Sequence, residues 1–300
     1  MTAPVIHIEA LVKDYGRFRA LHGVDLSVER GEVFGFIGPN GAGKSTTLRV
    51  LMDLLRPSSG RVEVLGVPDL SAHPELRARI GYLPGELSLN GQHTAREHLE
   101  YFCRLRGGAG SERIEPLAER FHLALDRSFK SLSKGNKQKV GVIQAFAHNP
   151  ELLILDEPTS GLDPLLQREF QTLASEASEG GATLLISSHI LGEVEAVAGR
   201  VALIRGGRIA DIEQVNTLKA RAGQHVALRF DRPPDPEPFL ALEELGDIVV
   251  SGNTLTAVLR GSPDRLLKLA SAHTVTHWSA RDRNLEELFM ERYRETPEAA

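Results

Sequence analysis

Gly38-Pro39-Asn40-Gly41-Ala42-Gly43-Lys44-Ser45-Thr46 is the segment around which the rest of the chain organises itself. It follows Val33 to Ile37, a short and continuously apolar run of the kind buried on both faces of a sheet. It opens a helical pattern from Lys44 to about Leu55, with Pro57 and Gly60 as stop signals. A glycine-rich turn between a strand and a helix meets the requirements of a phosphate-binding loop in both spacing and context. Glycines let the backbone wrap closely, so that N–H groups converge on phosphate oxygens, and the helix N-terminus adds a favourable dipole. Gly38, Asn40, Gly41, Gly43, Lys44, Ser45 and Thr46 are therefore the expected cradle of a nucleoside triphosphate. Lys44 is expected to reach the β- and γ-phosphates, as a catalytic group as well as a binding one, and the Ser45 hydroxyl to ligate Mg²⁺.

Further along, Leu152 to Leu155 is a second apolar strand, and it ends in two carboxylates, Asp156 and Glu157. Sheets of this kind place ligands at the C-terminal ends of their strands. Asp156 suits the holding of Mg²⁺, and Glu157 suits the base that orients and polarises an attacking water. Thr183 to Ser187 is another apolar strand followed by a helical pattern. Strand–helix alternation of this sort predicts a parallel core sheet with helices packed on it. The first thirty residues instead alternate apolar and polar side chains (Ile6, Ile8, Leu11, Val24, Leu26, Val28), which predicts an antiparallel β subdomain. The pattern from about residue 90 to 149 is helical almost throughout, which predicts an inserted helical subdomain.

Together these motifs resemble the ABC ATPase family, a branch of the P-loop NTPases. That family carries a signature of the form LSGGQ shortly before its acid-ended strand, and Leu132-Ser133-Lys134-Gly135-Asn136 stands in that place. The resemblance implies that Ser133 and Gly135 cap a helix whose N-terminus faces the nucleotide of a second subunit. It further implies that Asp163, in Pro158-Thr159-Ser160-Gly161-Leu162-Asp163, bridges subunits. His189 would contact the γ-phosphate as a switch, and Tyr15 would stack on adenine. One departure stands out. The family has a glutamine after its Gly-Tyr-x-Pro strand, whereas this chain runs Gly81-Tyr82-Leu83-Pro84-Gly85-Glu86, leaving Glu86 as the substitute to test.

ATP and Mg²⁺ are thus the implied cofactors, and hydrolysis of ATP the implied reaction. With one phosphate loop and one signature segment, the chain needs a second ATPase subunit to complete either site, and a homodimer is the expectation. No apolar run approaches the length of about eighteen residues needed to cross a bilayer. The N-terminus also lacks the pattern of a secretory signal. The chain is expected to be cytoplasmic and to reach the inner face of the membrane through a polytopic permease. A net charge of -5 argues against a basic footprint for nucleic acid. The one cysteine, Cys103, excludes an intramolecular disulfide and is expected to be a buried structural residue.

From about Asn216 the texture changes. Strands at Val226 to Phe230, Ile248 to Ser251, Leu255 to Leu259 and Val275 to Trp278 are predicted, with helices at Pro238 to Glu244, Asp264 to Ala270 and Leu285 to Tyr293. Strands and helices in the order β-α-β-β-α-β predict a small α+β unit of the ferredoxin-like kind. The expected division is a nucleotide-binding domain over 1–215 and a C-terminal domain over 216–300, with the boundary placed in the Thr217 to Gln224 stretch. Such a tail is similar to that of bacterial antibiotic- and drug-export ABC ATPases, so an exporter of drugs, antibiotics or lipids is the expected assembly. The alternative is a soluble assembly or repair ATPase. Its chromosome-maintenance branch is disfavoured because Thr47 to Leu132 is too short for a long coiled coil and lacks heptads.

Overall fold

The alternating apolar residues at the start of the chain form β1 (Ile6–Tyr15) and β2 (Phe18–Val28), paired antiparallel. Ile6, Ile8 and Leu11 are all buried although they do not keep a period of two. A register shift between Ile8 and Leu11, with Ala10 at φ 46°, restores the inward orientation. The computed structural model describes residues 3–68, 70–87 and 93–283. Contacts divide the chain into two compact units, Met1–Glu213 and Gln214–Ala300.

In the first unit the elements continue with β3 (Val33–Ile37), α1 (Lys44–Leu51), β4 (Ser59–Val64) and β5 (Ile80–Leu83). The helical insert supplies α2 (Ala95–Leu105), α3 (Ile114–Arg120) and α4 (Lys134–Phe146). Then come β6 (Leu152–Asp156), α5 (Pro164–Glu179), β7 (Thr183–Ser188), α6 (Leu191–Glu195), β8 (Arg200–Arg205) and β9 (Arg208–Gln214). Two sheets result, a three-stranded one in the order β2-β1-β4 and a six-stranded one in the order β5-β6-β7-β3-β8-β9. The pairs β3–β7, β3–β8, β5–β6 and β6–β7 are parallel, as the strand–helix alternation predicts. Every residue of β3, β6 and β7 is buried, which is why these runs are apolar without alternation. Phe34, Phe36, Leu48, Ile154, Leu185 and Ala202 share one core cluster with Ile6, Ile8, Val24 and Leu26. Because β3, β6 and β7 run parallel, their C-terminal ends open on one edge of the sheet, and the site lies there.

Several boundaries differ from the sequence expectation, each for a local reason. α1 stops at Leu51 rather than Leu55. Asp53 takes φ 55° and donates to the Val50 carbonyl, while Leu54 donates back to Arg49, which together close the helix in a Schellman turn before Pro57 is reached. Among the described residues the insert holds three α-helices separated by loops and short 3₁₀ turns, less continuously helical than expected. Thr94 and Glu97 form a reciprocal capping box at the start of α2, and glycines at 107 and 108 with positive φ follow its end. Cys103 is buried on α2, and burial raises its thiol pKa, as befits a structural residue.

The second unit begins with α7 (Val215–Ala222), a helix that runs through most of the stretch in which the boundary was expected. Val215, Leu218 and Ala222 are buried at helical spacing. The unit continues with β10 (Gln224–Phe230), α8 (Glu237–Leu240), β11 (Leu245–Ser251), β12 (Thr254–Leu259), α9 (Asp264–Ala270) and β13 (Val275–Asp282). α8 is shorter than the predicted Pro238 to Glu244 helix, and β13 is longer than the predicted strand. These strands form one antiparallel sheet in the order β11-β12-β10-β13. Alternate residues of β10 (Val226, Leu228, Phe230) and β12 (Leu255, Ala257, Leu259) meet Phe239 of α8 and Leu266 of α9 in a separate core. The predicted helix Leu285 to Tyr293 lies outside the described residues.

Candidate functional site

The loop between β3 and α1 folds tightly because two of its glycines cannot be replaced without a clash. A Cβ on Gly38 would lie 2.2 Å from the Ile204 carbonyl oxygen. Gly43 takes φ 109° as the N-cap of α1, and a Cβ there would meet Leu21 at 2.6 Å. The loop is tied down by Gly38 N–H to the Ser188 carbonyl (3.3 Å) and by Gly207 N–H to the Ala42 carbonyl (3.0 Å). Lys44 is only 5% exposed, and its Nζ donates to the carbonyls of Gly38 (2.7 Å) and Pro39 (3.2 Å). It also stands 3.7 Å from Glu157 Oε1. Burial lowers the Lys44 pKa, and the charges of Glu157 and Asp156 oppose that shift. Ser45 and Thr46 follow in the first turn of the helix, half-buried. Gly38→Ala is expected to lower stability by about 1–3 kcal/mol, the usual range for overpacking. A thermal melt without nucleotide, compared with one in saturating Mg-ATP, checks both the stability and the loss of the cradle.

The acid pair ends β6. Asp156 is 1% exposed, and the Ser187 hydroxyl of β7 donates to its Oδ1 at 2.5 Å. A Cβ on Gly85 would lie 3.0 Å from Asp156 Oδ2, so the glycine leaves a cradle beside the second oxygen that a side chain would fill. The Ser45 hydroxyl and the Asp156 carboxylate are oxygen donors of the kind a hard divalent cation takes. Glu86 is exposed, and among the described residues it makes no hydrogen bond or ion pair with Lys44, Asp156 or Glu157. Glu157 takes φ 49°, a left-handed conformation costing about 1–3 kcal/mol for a residue with a side chain. It is held by its own N–H to the Ser187 carbonyl (3.1 Å), and its carbonyl accepts from Gln138 Nε2 (3.0 Å). Its carboxylate meets His189 Nδ1 at 3.0 Å. Lys44, Asp156, Glu157 and His189, drawn from three strand ends, therefore converge.

The remaining sequence candidates sit apart from this cluster. The Ser133 hydroxyl caps α4 by accepting from the Asn136 N–H (3.3 Å). Gly135 packs so closely on the Gly161 carbonyl that a Cβ would lie 2.5 Å from it. Asp163 caps α5, its Oδ1 accepting from the N–H groups of Leu165 and Leu166, both at 3.0 Å. Tyr15, 44% exposed, ends β1 opposite Phe18, with Lys13 Nζ 5.3 Å from its ring centroid. Among the described residues, none of Tyr15, Ser133, Gly135 and Asp163 bonds to Lys44, Asp156, Glu157 or His189.

Sequence reasoning missed the residues that hold the acids in place. Gln138 of α4, 5% exposed, donates from Nε2 to the carbonyls of both Glu157 and Pro158 at 3.0 Å. Ser187 serves Asp156 and Glu157 together. Glu193 of α6 accepts from Thr159 Oγ1 (2.6 Å), Ser188 Oγ (3.0 Å) and Gln167 Nε2 (3.4 Å). Only for Ser187 was a signal available, a polar residue at the end of an apolar strand, where burial demands a partner; Gln138 and Glu193 sit on helices and carry none.

The model of the ABC transporter family matches residues 21–160. The chain is 37% identical over 237 residues to the "Probable multidrug ABC transporter ATP-binding protein YbhF" of Escherichia coli, a match covering 77% of this chain and 40% of the relative. It is 34% identical over 249 residues to the bacitracin transport ATP-binding protein BcrA of Bacillus licheniformis, covering 81% of this chain and 80% of that protein. A solved structure of the ATP binding subunit of an ABC transporter is 32% identical with a TM-score of 0.67, covering 72% of this chain and 92% of that one. The phosphate loop, the acid-ended strand and these likenesses agree: the chain belongs to the family of ABC transporter ATP-binding proteins.

Proposed function

We propose that this chain binds and hydrolyses ATP as one half of a head-to-tail dimer and thereby drives a separate polytopic permease that exports drugs, antibiotics or lipids. The observation that carries the reading is the convergence of Lys44, Asp156, Glu157 and His189 at one sheet edge. Lys44 lies where β- and γ-phosphates would be held. Glu157, within hydrogen-bond reach of His189, is placed to accept a proton from an attacking water, and His189 to contact the γ-phosphate. Ser45 and Asp156 would hold Mg²⁺, which when bound neutralises phosphate charge. Tyr15 is exposed as a surface on which adenine can stack.

Dimerisation follows from what the chain lacks within itself. Gly135 packs on Gly161, Ser133 caps its own helix, and among the described residues neither bonds to Lys44 of the phosphate loop, which supports their covering the nucleotide of a second subunit. Among the described residues no helix is long and apolar enough to cross a membrane, so the reading gives the membrane path to another chain. The relatives named for multidrug and bacitracin transport support export as the direction. The strand order β11-β12-β10-β13 in a β-α-β-β-α-β succession supports a ferredoxin-like C-terminal unit after a nucleotide-binding domain.

The test is a pull-down of tagged Glu157→Gln chain from gently solubilised native cells in Mg-ATP. Copurification of a polytopic membrane protein at fixed stoichiometry is the expected result. Recovery of soluble proteins alone would overturn the transport reading.

A further inference from the structure

Two loops supply the two ends of the contact between Glu157 and His189. Glu157 leads into the turn Pro158-Thr159-Ser160, which runs on to α5, whereas His189 follows the last residue of β7, Ser188. No covalent feature near either residue fixes their separation. Glu157 is in a strained conformation at φ 49°, which persists only where the surroundings over-determine it.

One carboxylate spans both loops. Glu193 Oε2 accepts from Thr159 Oγ1 at 2.6 Å and from Ser188 Oγ at 3.0 Å. The donors are almost fully buried, Thr159 at 3% and Ser188 at 2% exposed. Glu193 Oε1 faces Gln167 Nε2 of α5 at 3.4 Å, and the same amide reaches the Leu162 carbonyl at 3.3 Å. On the other side, Ser188 Oγ accepts from the Ile190 N–H at 2.9 Å, which shapes the turn that carries His189. The helix bearing Glu193 is itself anchored. Val194 fills the space beside Gly35 of β3 so fully that a Cβ on the glycine would lie 2.3 Å from it. A shift of α6 would therefore press on the strand that leads into the phosphate loop.

We propose that Glu193 is a positioning residue for hydrolysis: by clamping Thr159 and Ser188 it sets the distance and angle between Glu157 and His189. The inference rests on the reading of this site as one that hydrolyses ATP. Glu193 makes no hydrogen bond or ion pair with Lys44, Asp156 or the Glu157 and His189 side chains among the described residues, so it would act on the chemical step through the two loops. Displacing a reacting group by about 1 Å costs on the order of 10²-fold in rate, and that sets the scale expected here. Nucleotide affinity depends on the phosphate loop and is expected to stay near its parental value.

The conservative variant separates clamping from charge. In Glu193→Gln the amide oxygen still accepts from Thr159 and Ser188, so both arms of the clamp are kept, while Gln167 Nε2 stays on the Leu162 carbonyl and only its long contact with residue 193 is given up. Glu193→Ala leaves two buried hydroxyls without their acceptor. Steady-state Mg-ATP turnover and nucleotide affinity would be measured on the full chain for the parent, Glu193→Ala, Glu193→Gln, Thr159→Val and the Thr159→Val/Glu193→Ala double variant. Expected are a kcat lower by on the order of 10²-fold in Glu193→Ala, an almost unchanged KM, near-parental turnover in Glu193→Gln, and a double variant no slower than Glu193→Ala. Parental kcat in folded Glu193→Ala would overturn the inference, as would equal losses in the Ala and Gln variants. Should Glu193→Ala fail to fold, Thr159→Val decides, since it removes one arm and must lower kcat without raising KM. A parent chain that does not turn over Mg-ATP would overturn the hydrolysis reading and this inference with it. A parent that does, beside an unaffected Glu193→Ala, would overturn the inference alone.

Discussion

Lys44→Ala is expected to lower ATP turnover by at least about 10²-fold, the scale at which a single preorganised charge on a transferring group acts. The side chain is 5% exposed and threads back over its own loop to the carbonyls of Gly38 and Pro39. Those carbonyls fix Nζ in place before any phosphate arrives, so little reorganisation is left for the reaction. Burial already lowers the pKa of the group, partly opposed by Glu157 and Asp156, so the acid pair helps keep the ammonium charged. Truncation removes the cation from the phosphate path and leaves two adjacent carboxylates with less counter-charge, so incoming triphosphate also meets more repulsion. Both nucleotide affinity and kcat should fall together. Lys44→Arg should not rescue, because a planar guanidinium cannot sit as a point donor between the two carbonyls. Undiminished turnover in Lys44→Ala, measured as phosphate release under saturating Mg-ATP, would remove the phosphate-loop assignment.

What could be read in advance from the chain divides by the range of the interaction involved. The phosphate loop, the acid-ended strand and the buried strands announce themselves because their requirements are local: a few consecutive residues carry both the conformation and the chemistry. The end of α1 was not legible for a different reason. Asp53 adopts the left-handed turn that usually marks glycine, and Pro57, the visible stop signal, comes too late. α7 was hidden because its buried residues Val215, Leu218 and Ala222 lie among polar neighbours, in the stretch where the texture of the sequence changes. The supports of the site are further removed still. Ser187 reaches Asp156 from 31 residues away, Gln138 reaches Glu157 from 19, and Thr159 reaches Glu193 from 34. None of those pairings has a periodicity of its own. Only the strand order β6-β7-β3 brings them to one edge, and that order is a property of the whole sheet. Gly85 is the converse case: the departure from the family's glutamine was visible, but its setting against Asp156 was not, and Glu86 does not fill the gap.

Glu157→Gln should separate binding from chemistry. The substitution preserves shape, and the new amide can still pair with His189, which now stands 3.0 Å from Oε1. It removes the carboxylate proposed to accept a proton from the attacking water, so kcat is expected to fall by about 10²–10⁴-fold, the usual yield of a general base. Nucleotide affinity should hold or rise, since the change also deletes a negative charge facing the phosphate. The strained backbone at φ 49° is equally open to glutamate and glutamine, so the fold gives no reason for the variant to be less stable. On the proposed head-to-tail arrangement, ATP that binds and is not hydrolysed would keep the second subunit's Ser133 and Gly135 engaged, and a dimer should accumulate. Size-exclusion chromatography with light scattering in Mg-ATP would detect it, with the parent chain returning to monomer as its ATP is consumed. A Glu157→Gln chain that hydrolyses at the parental rate would show that the proton goes elsewhere. His189 would then be the next group to change, because it is the other titratable side chain in contact with that carboxylate.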